Sequence, residues 1–207
     1  MSFERGDREN SKYPRYIKQL YPSLISEIRE EIFDAQLIID RIFLGSIEAA
    51  FNVKRMRDNG IKFILSVGTH ILDFVDSIDE NYAFIEEHAV LRIEDSSDEF
   101  LLKHLLSCID FIDDCLVRAD GNLLIHCVAG ASRSASIVIA YLITRKGWRY
   151  ADALSFVKGK RSLVCPNEGF EMQLKILERF EGDILKANQF CQDNFGIYQD
   201  LQLVLKI

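Results

Sequence analysis

The sequence has no internal repeat, no low-complexity segment and no long apolar run. The longest unbroken one, Ile137 to Ile143, has seven residues, far short of the roughly 20 that span a bilayer. Met1-Ser2-Phe3-Glu4 does not read as a secretory leader, and Ser2 stands where N-myristoylation requires glycine. Cysteines are few and irregular: five, at 108, 115, 127, 165 and 191, with no C-x-x-C pair. An odd, irregular set excludes a disulfide framework and a zinc ribbon, and predicts a reduced, intracellular chain, cytoplasmic with nuclear entry left open. Histidines number four, scattered at 70, 88, 104 and 126, so no metal-ligand spacing is present and no metal or other cofactor is expected. Positive charge is in deficit: 25 Lys and Arg face 32 Asp and Glu, a net charge of −7. A nucleic-acid binder would be basic, so that class of partner is set aside, as is a membrane.

What remains is ample for a core. Of 207 residues, 48% are hydrophobic and 28% charged, the proportions of one globular domain with short extensions. Residues 1–35 form an N-terminal extension, with a helical pattern from Tyr16 to Phe33 broken by Pro22. Gln36 to Leu44 is two short apolar runs around Asp40-Arg41, which predicts a tight hairpin. Ser46 is placed to cap a helix running to Asn59, with Gly60 as its stop. Ile61 to Val67 reads as a buried strand, and Tyr82 to Ile93 contains another. Asp98 is placed to cap an amphipathic helix whose stripe is Leu102, Leu105, Leu106, Ile109, Ile112 and Leu116. Leu123 to Ile125 is a short apolar strand. Helices follow at about 133–145, 150–158 and from Pro166-Asn167 onward, and residues 181–207 form a C-terminal extension of unassigned role. Strands alternating with helices predict an α/β fold, a largely parallel central sheet of about five strands flanked by helices.

The stretch that carries chemistry is His126-Cys127-Val128-Ala129-Gly130-Ala131-Ser132-Arg133-Ser134. It joins a buried strand to a helix. Val128 to Ser132 can close into a cup, with Gly130 supplying the backbone freedom the turn needs. Its N–H groups then converge on one centre, backed by the positive end of the following helix, which suits a phosphate dianion. Cys127 lies at the rim of that field, which favours its nucleophilic thiolate. Arg133 offers a planar fork for two phosphate oxygens. Ser134 is placed to donate to the departing thiolate, and His126 to order the loop. The other four cysteines read as packing residues, Cys108 and Cys115 on the amphipathic helix.

These residues resemble the C-x5-R signature of the cysteine-dependent protein tyrosine phosphatases, and G-x-S-R-S followed by Ala135 is similar to the dual-specificity branch. The likeness extends to I-F-L-G-S at 42–46, the strand at 61–67, and R-S-L-V-C-P-N-E-G-F at 161–170 followed by Gln173-Leu174, covering residues 36–180 as a compact catalytic domain. The resemblance implies phosphorylated protein substrates and a phosphocysteine intermediate, with phosphotyrosine and phosphoserine or phosphothreonine as targets. It also implies a general acid in the loop Glu94 to Glu99. Asp95, 32 residues before Cys127, matches the family's position, with Asp98 as the alternative. Asn167 matches a position that braces the phosphate loop, and it can equally be a helix N-cap. Lys158, Lys160 and Arg161 form a basic cluster, read either as attracting phosphorylated substrates or as a solvated helix end. A phosphoinositide or glycan phosphatase, or a phospho-binding pseudophosphatase, are the alternative functions. Oligomeric state is not legible.

Overall fold

The computed structural model describes residues 32–69, 82–118 and 120–194. The helical pattern before Ile32, most of the polar connection after Val67 and the terminal L-Q-L-V-L-K-I lie outside these residues.

Strand β1 (Ala35–Ile39) and strand β2 (Ile42–Gly45) form the expected antiparallel hairpin. Asp40, at φ +48°, turns it, a conformation Asp tolerates better than most residues. Then come helix α1 (Ile47–Phe51), helix α2 (Val53–Asp58) and strand β3 (Ile61–Val67). The single helix expected over 46–59 is therefore two. Asn52 interrupts it, its side chain accepting from Arg55 N–H at 3.1 Å while donating to the Ile32 carbonyl at 2.9 Å. Ser46 occupies the N-cap position of α1 without making a side-chain cap bond.

Strand β4 (Glu87–Leu91) leads through the acidic loop to helix α3 (Leu102–Val117). Asp98 does not cap this helix, whose cap position is Leu101. Gln173 does that work from a distant element, its side-chain oxygen accepting from Leu102 N–H at 3.1 Å. Leu102, Leu105, Ile109 and Ile112 are buried as the stripe predicts, with Cys108 and Cys115 beside them, but Leu106 lies 43% exposed, outside it. Each fully buried Leu or Ile here stabilises the fold by about 2 kcal/mol.

Strand β5 (Asn122–His126), helix α4 (Arg133–Lys146), helix α5 (Tyr150–Lys160), helix α6 (Glu168–Arg179) and helix α7 (Ile184–Asp193) complete the order. The sheet runs β1-β2-β5-β3-β4, parallel except for the first pair. β5 is thus the central strand, and its carboxyl end delivers His126 and Cys127 into the loop before α4. The larger core packs α3, α4, α5 and α6 on one sheet face, and a smaller one packs α1 and α2 on the other. Helix α7 joins the larger core through Ile184, Ala187 and Cys191, with Phe180 and Phe190 rings 5.4 Å apart. No helix among the described residues is long and apolar enough to cross a membrane.

Candidate active site

Five consecutive carbonyls of the 126–134 loop are held from outside. Cys127 O meets His126 Nδ1 at 3.3 Å, and Val128 O accepts from Ile47 N–H at 3.1 Å. Ala129 O and Gly130 O accept from Arg161 Nη2 and Nε at 2.9 and 3.0 Å, and Ala131 O accepts from Cys165 N–H at 2.8 Å. Across a planar trans peptide the N–H points opposite to the C=O. Tying these carbonyls outward therefore turns the amides of Val128, Ala129, Gly130, Ala131 and Ser132 to the other side, into the loop. Gly130 N–H is seen doing so, donating to Cys127 Sγ at 3.2 Å. Gly130 has φ +66°, and a β-carbon on it would lie 2.4 Å from the Gly45 carbonyl oxygen, so no other residue fits this turn.

Cys127 is 2% exposed, so it lies at the floor of the loop and not at the rim expected from the sequence, and its sulfur also accepts from Ser134 Oγ at 3.1 Å. Two hydrogens thus converge on the one sulfur. Arg133, on the first turn of α4, has a buried Nε with no hydrogen-bond acceptor among the described residues. The same Nε is 3.7 Å from Asp95 Oδ2. A buried guanidinium nitrogen without an acceptor is suited to an oxyanion, which supplies one.

Asp95 is held over the loop by two donors. Ser132 Oγ donates to its Oδ1 at 2.6 Å, and Asn167 Nδ2 donates to the same oxygen at 2.9 Å. Asn167 also caps α6, accepting from Phe170 N–H at 2.9 Å, and its own N–H donates to Ser132 Oγ at 3.0 Å. Both readings of Asn167, brace and cap, are present in one residue: its backbone N–H reaches the loop at Ser132, and its side chain caps α6. Gln173 fastens the far end of the acidic loop, donating to Glu99 O at 2.8 Å. His126 is fully buried, and burial, reinforced by the charge of neighbouring His88, pushes its imidazole down to about 3, so it is neutral.

With that geometry in place, the comparisons with known proteins agree. The dual specificity phosphatase catalytic domain matches residues 42–180. Dual specificity protein phosphatase 1 of Arabidopsis thaliana is 37% identical over 143 residues, which are 69% of this chain and 68% of that protein. The chain belongs to the dual specificity phosphatase family.

Dual specificity protein phosphatase MPK-4 of Drosophila melanogaster is 36% identical over 160 residues, 73% of this chain but only 39% of that protein. The crystal structure of the human tyrosine phosphatase-like serine/threonine/tyrosine-interacting protein is 31% identical with a TM-score of 0.63, over 72% of this chain and 98% of that one. Members of the family are protein phosphatases that work through a phosphocysteine, and this dual specificity phosphatase carries the C-x5-R sequence from Cys127 to Arg133.

The structure brings Cys127, Arg133, Ser134, Asp95, Ser132 and Asn167 together, with His126 directly behind. It leaves Asp98 exposed, donating its backbone N–H to Ser96 Oγ at 3.3 Å. One part of the basic cluster changes meaning. Lys158 and Lys160 are exposed, but Arg161 is 3% exposed and lies behind the loop, bound to Asp34 at 2.7 Å and Gln36 at 2.6 Å. It is neither a solvated helix end nor a surface lure for substrate. Asp34, Gln36, Ser66 and His88 were not singled out by the sequence. Each is remote in the chain from the loop it supports, and only the sheet order joins them. Among the described residues no group of three metal-binding side chains occurs.

Proposed function

We propose that this chain hydrolyses phosphotyrosine and phosphoserine or phosphothreonine in proteins with Cys127 as nucleophile. The Cys127 thiolate attacks phosphorus in line. The S–P bond forms as the P–O ester bond breaks, and Asp95 gives its proton to the departing oxygen. Arg133 and the inward amides of residues 128–132 hold the equatorial oxygens as charge spreads. In the second step Asp95, now a carboxylate, takes a proton from water. The water oxygen bonds phosphorus, the S–P bond breaks, and Ser134 Oγ donates to the released thiolate. Inorganic phosphate leaves and Asp95 is again protonated.

The observation that carries this reading is the double donation to Cys127 Sγ, from Gly130 N–H and Ser134 Oγ, at the floor of a loop whose carbonyls are all tied outward. A binding-only reading draws on the likeness to a phosphatase-like interacting protein. The joint presence of Cys127, Arg133 and a braced Asp95 favours turnover. The small apolar side chains of Val128, Ala129 and Ala131 carry no charge for a polyanionic lipid headgroup, which supports protein substrates. Five free cysteines suit a reducing compartment, so we place the enzyme in the cytoplasm, acting on phosphorylated signalling proteins.

The test is one panel of phosphotyrosine, phosphothreonine and phosphoserine peptides, phosphoinositides and phosphoglucan, run with wild type and Cys127→Ser. The expected result is turnover of phosphotyrosine first and of the shorter side chains more weakly, all lost in Cys127→Ser. Preference for lipid or glucan overturns the substrate class. Residual turnover in Cys127→Ser above about 1% of wild type overturns the nucleophile.

A further inference from the structure

Three polar side chains cross the sheet on adjacent strands, on the face opposite the larger core. His88 lies on β4, Ser66 on β3 and His126 on β5, with Ser66 directly opposite His126 in register. Ser66 Oγ is 2.8 Å from His88 Nε2 and 2.6 Å from His126 Nε2. Ser66 and His126 are completely buried, whereas His88 is partly exposed.

Counting protons fixes every role in this chain. The Cys127 carbonyl only accepts, so the His126 nitrogen facing it, Nδ1, carries the hydrogen. His126 is neutral, so its Nε2 is a bare acceptor and takes the single Ser66 hydroxyl proton. Ser66 Oγ then has only lone pairs left for His88, whose Nε2 must donate. If His88 Nε2 keeps its hydrogen and His126 flips, the N–H groups of both rings face Ser66 and its hydroxyl hydrogen is buried without an acceptor, which is costly. The reverse relay, with His126 Nε2–H donating to Ser66 and Ser66 to a bare His88 Nε2, pairs the hydroxyl but turns a lone pair of His126 Nδ1 toward the Cys127 oxygen.

We infer that His88 is a positioning residue for the phosphate loop: by donating to Ser66 it locks His126 in the tautomer that holds the Cys127 carbonyl outward and so aims the Val128 N–H inward. The four other outward carbonyls are held by backbone N–H groups or by Arg161, which cannot change their donor character at neutral pH. The Cys127 carbonyl alone depends on a tautomer, and the relay from β4 selects it. The inference rests on the reading of Cys127 as the reacting thiol for its kinetic effect, but not for its tautomer assignment.

The experiment uses the full chain with ¹⁵N-labelled histidine. Long-range ¹H–¹⁵N spectra assign each tautomer directly, in wild type, His88→Leu and Ser66→Ala, beside kcat on a phosphotyrosine peptide. Wild type is expected to show His126 with hydrogen on Nδ1 and His88 with hydrogen on Nε2. In either variant His126 becomes a mixture of tautomers, and kcat falls about tenfold, the scale of one lost hydrogen bond. His88→Gln, whose amide offers a donor at similar reach, recovers both. The inference is overturned if His126 keeps its Nδ1 hydrogen in both variants, or if kcat falls while the tautomer does not change. Ser66→Ala is a small buried change that decides the matter even where His88→Leu fails to fold. A Cys127→Ser enzyme that still turns over would instead overturn the catalytic reading, leaving the tautomer result to stand or fall separately.

Discussion

Ser132 Oγ donates to Asp95 Oδ1 at 2.6 Å, so a residue of the phosphate loop holds the proposed acid directly. Because Asn167 donates to the same oxygen, Oδ2 is the oxygen left to carry the transferable proton. Asp95→Ala is expected to slow phosphotyrosine peptides by about 100-fold or more, the usual worth of a general acid. p-Nitrophenyl phosphate should suffer much less, because its leaving group needs little protonation. The basic limb of the phosphotyrosine pH–rate profile should flatten as well. Asp98→Ala should leave both substrates near wild type, and the reverse pattern would move the acid to Asp98.

Gly169 sets how closely helix α6 approaches the acid loop. A β-carbon on it would lie 2.0 Å from the Ser97 carbonyl oxygen, a backbone atom that cannot swing aside. Gly169→Ala must therefore displace the segment two residues after Asp95. A misplacement of about 1 Å costs on the order of 100-fold in an oriented reaction. The loss is expected to follow the leaving group as it does in Asp95→Ala, large on phosphotyrosine and small on p-nitrophenyl phosphate. An equal loss on both substrates would mean that the phosphate loop, not the acid, had moved.

The reacting residues were legible because their chemistry is local. Strand, C-x5-R and helix are contiguous, and Gly130, Arg133 and Ser134 sit within seven residues of Cys127. The supports were not legible, because each acts across the sheet order β1-β2-β5-β3-β4. Arg161 reads as one more cation beside Lys158 and Lys160 until α5 delivers it beneath the loop. Asp98 has the right residue type and place for a cap, but Gln173, 71 residues after Leu102 in the chain, takes that bond. The helix expected over 46–59 fails at Asn52 because an Asn side chain competes for a backbone N–H three residues on.

Asp34 lies outside the matched residues 42–180 yet neutralises the arginine that holds Ala129 O and Gly130 O. Burial raises the Asp34 carboxyl, but hydrogen bonds and charge from Arg161 outweigh it, and the net position is below the ordinary 3.8. Asp34→Asn is expected to destabilise the fold by about 2 kcal/mol at pH 7, the range for a charge-assisted hydrogen bond. A carboxyl lowered on folding contributes stability above its unfolded value, and loses it as pH falls through the folded one. The difference between wild type and Asp34→Asn in urea unfolding should thus be constant from pH 7 to about pH 5 and shrink below about pH 4. A difference that grows on acidification would refute the pairing.

Oxidation should single out one thiol among the four that are buried. Burial pushes Cys108 and Cys115 up to about 12 and Cys191 up to about 11. At pH 7 such thiols are ionised to about one part in ten thousand or less, and peroxide attacks the thiolate. Cys127 instead has its sulfur bonded by Gly130 N–H and Ser134 Oγ, in the loop where the proposed mechanism uses it as the nucleophile. Mild peroxide is therefore expected to inactivate the enzyme in step with modification of Cys127, read by peptide mass spectrometry after trapping the sulfenic acid. Exposed Cys165 serves as the internal control for simple accessibility. Vanadate bound in the loop should protect Cys127 and leave Cys165 unprotected, and early addition of a thiol reductant should restore turnover. Loss of activity that tracks Cys165, or protection of both cysteines alike, would show that exposure rather than the loop's donors sets reactivity.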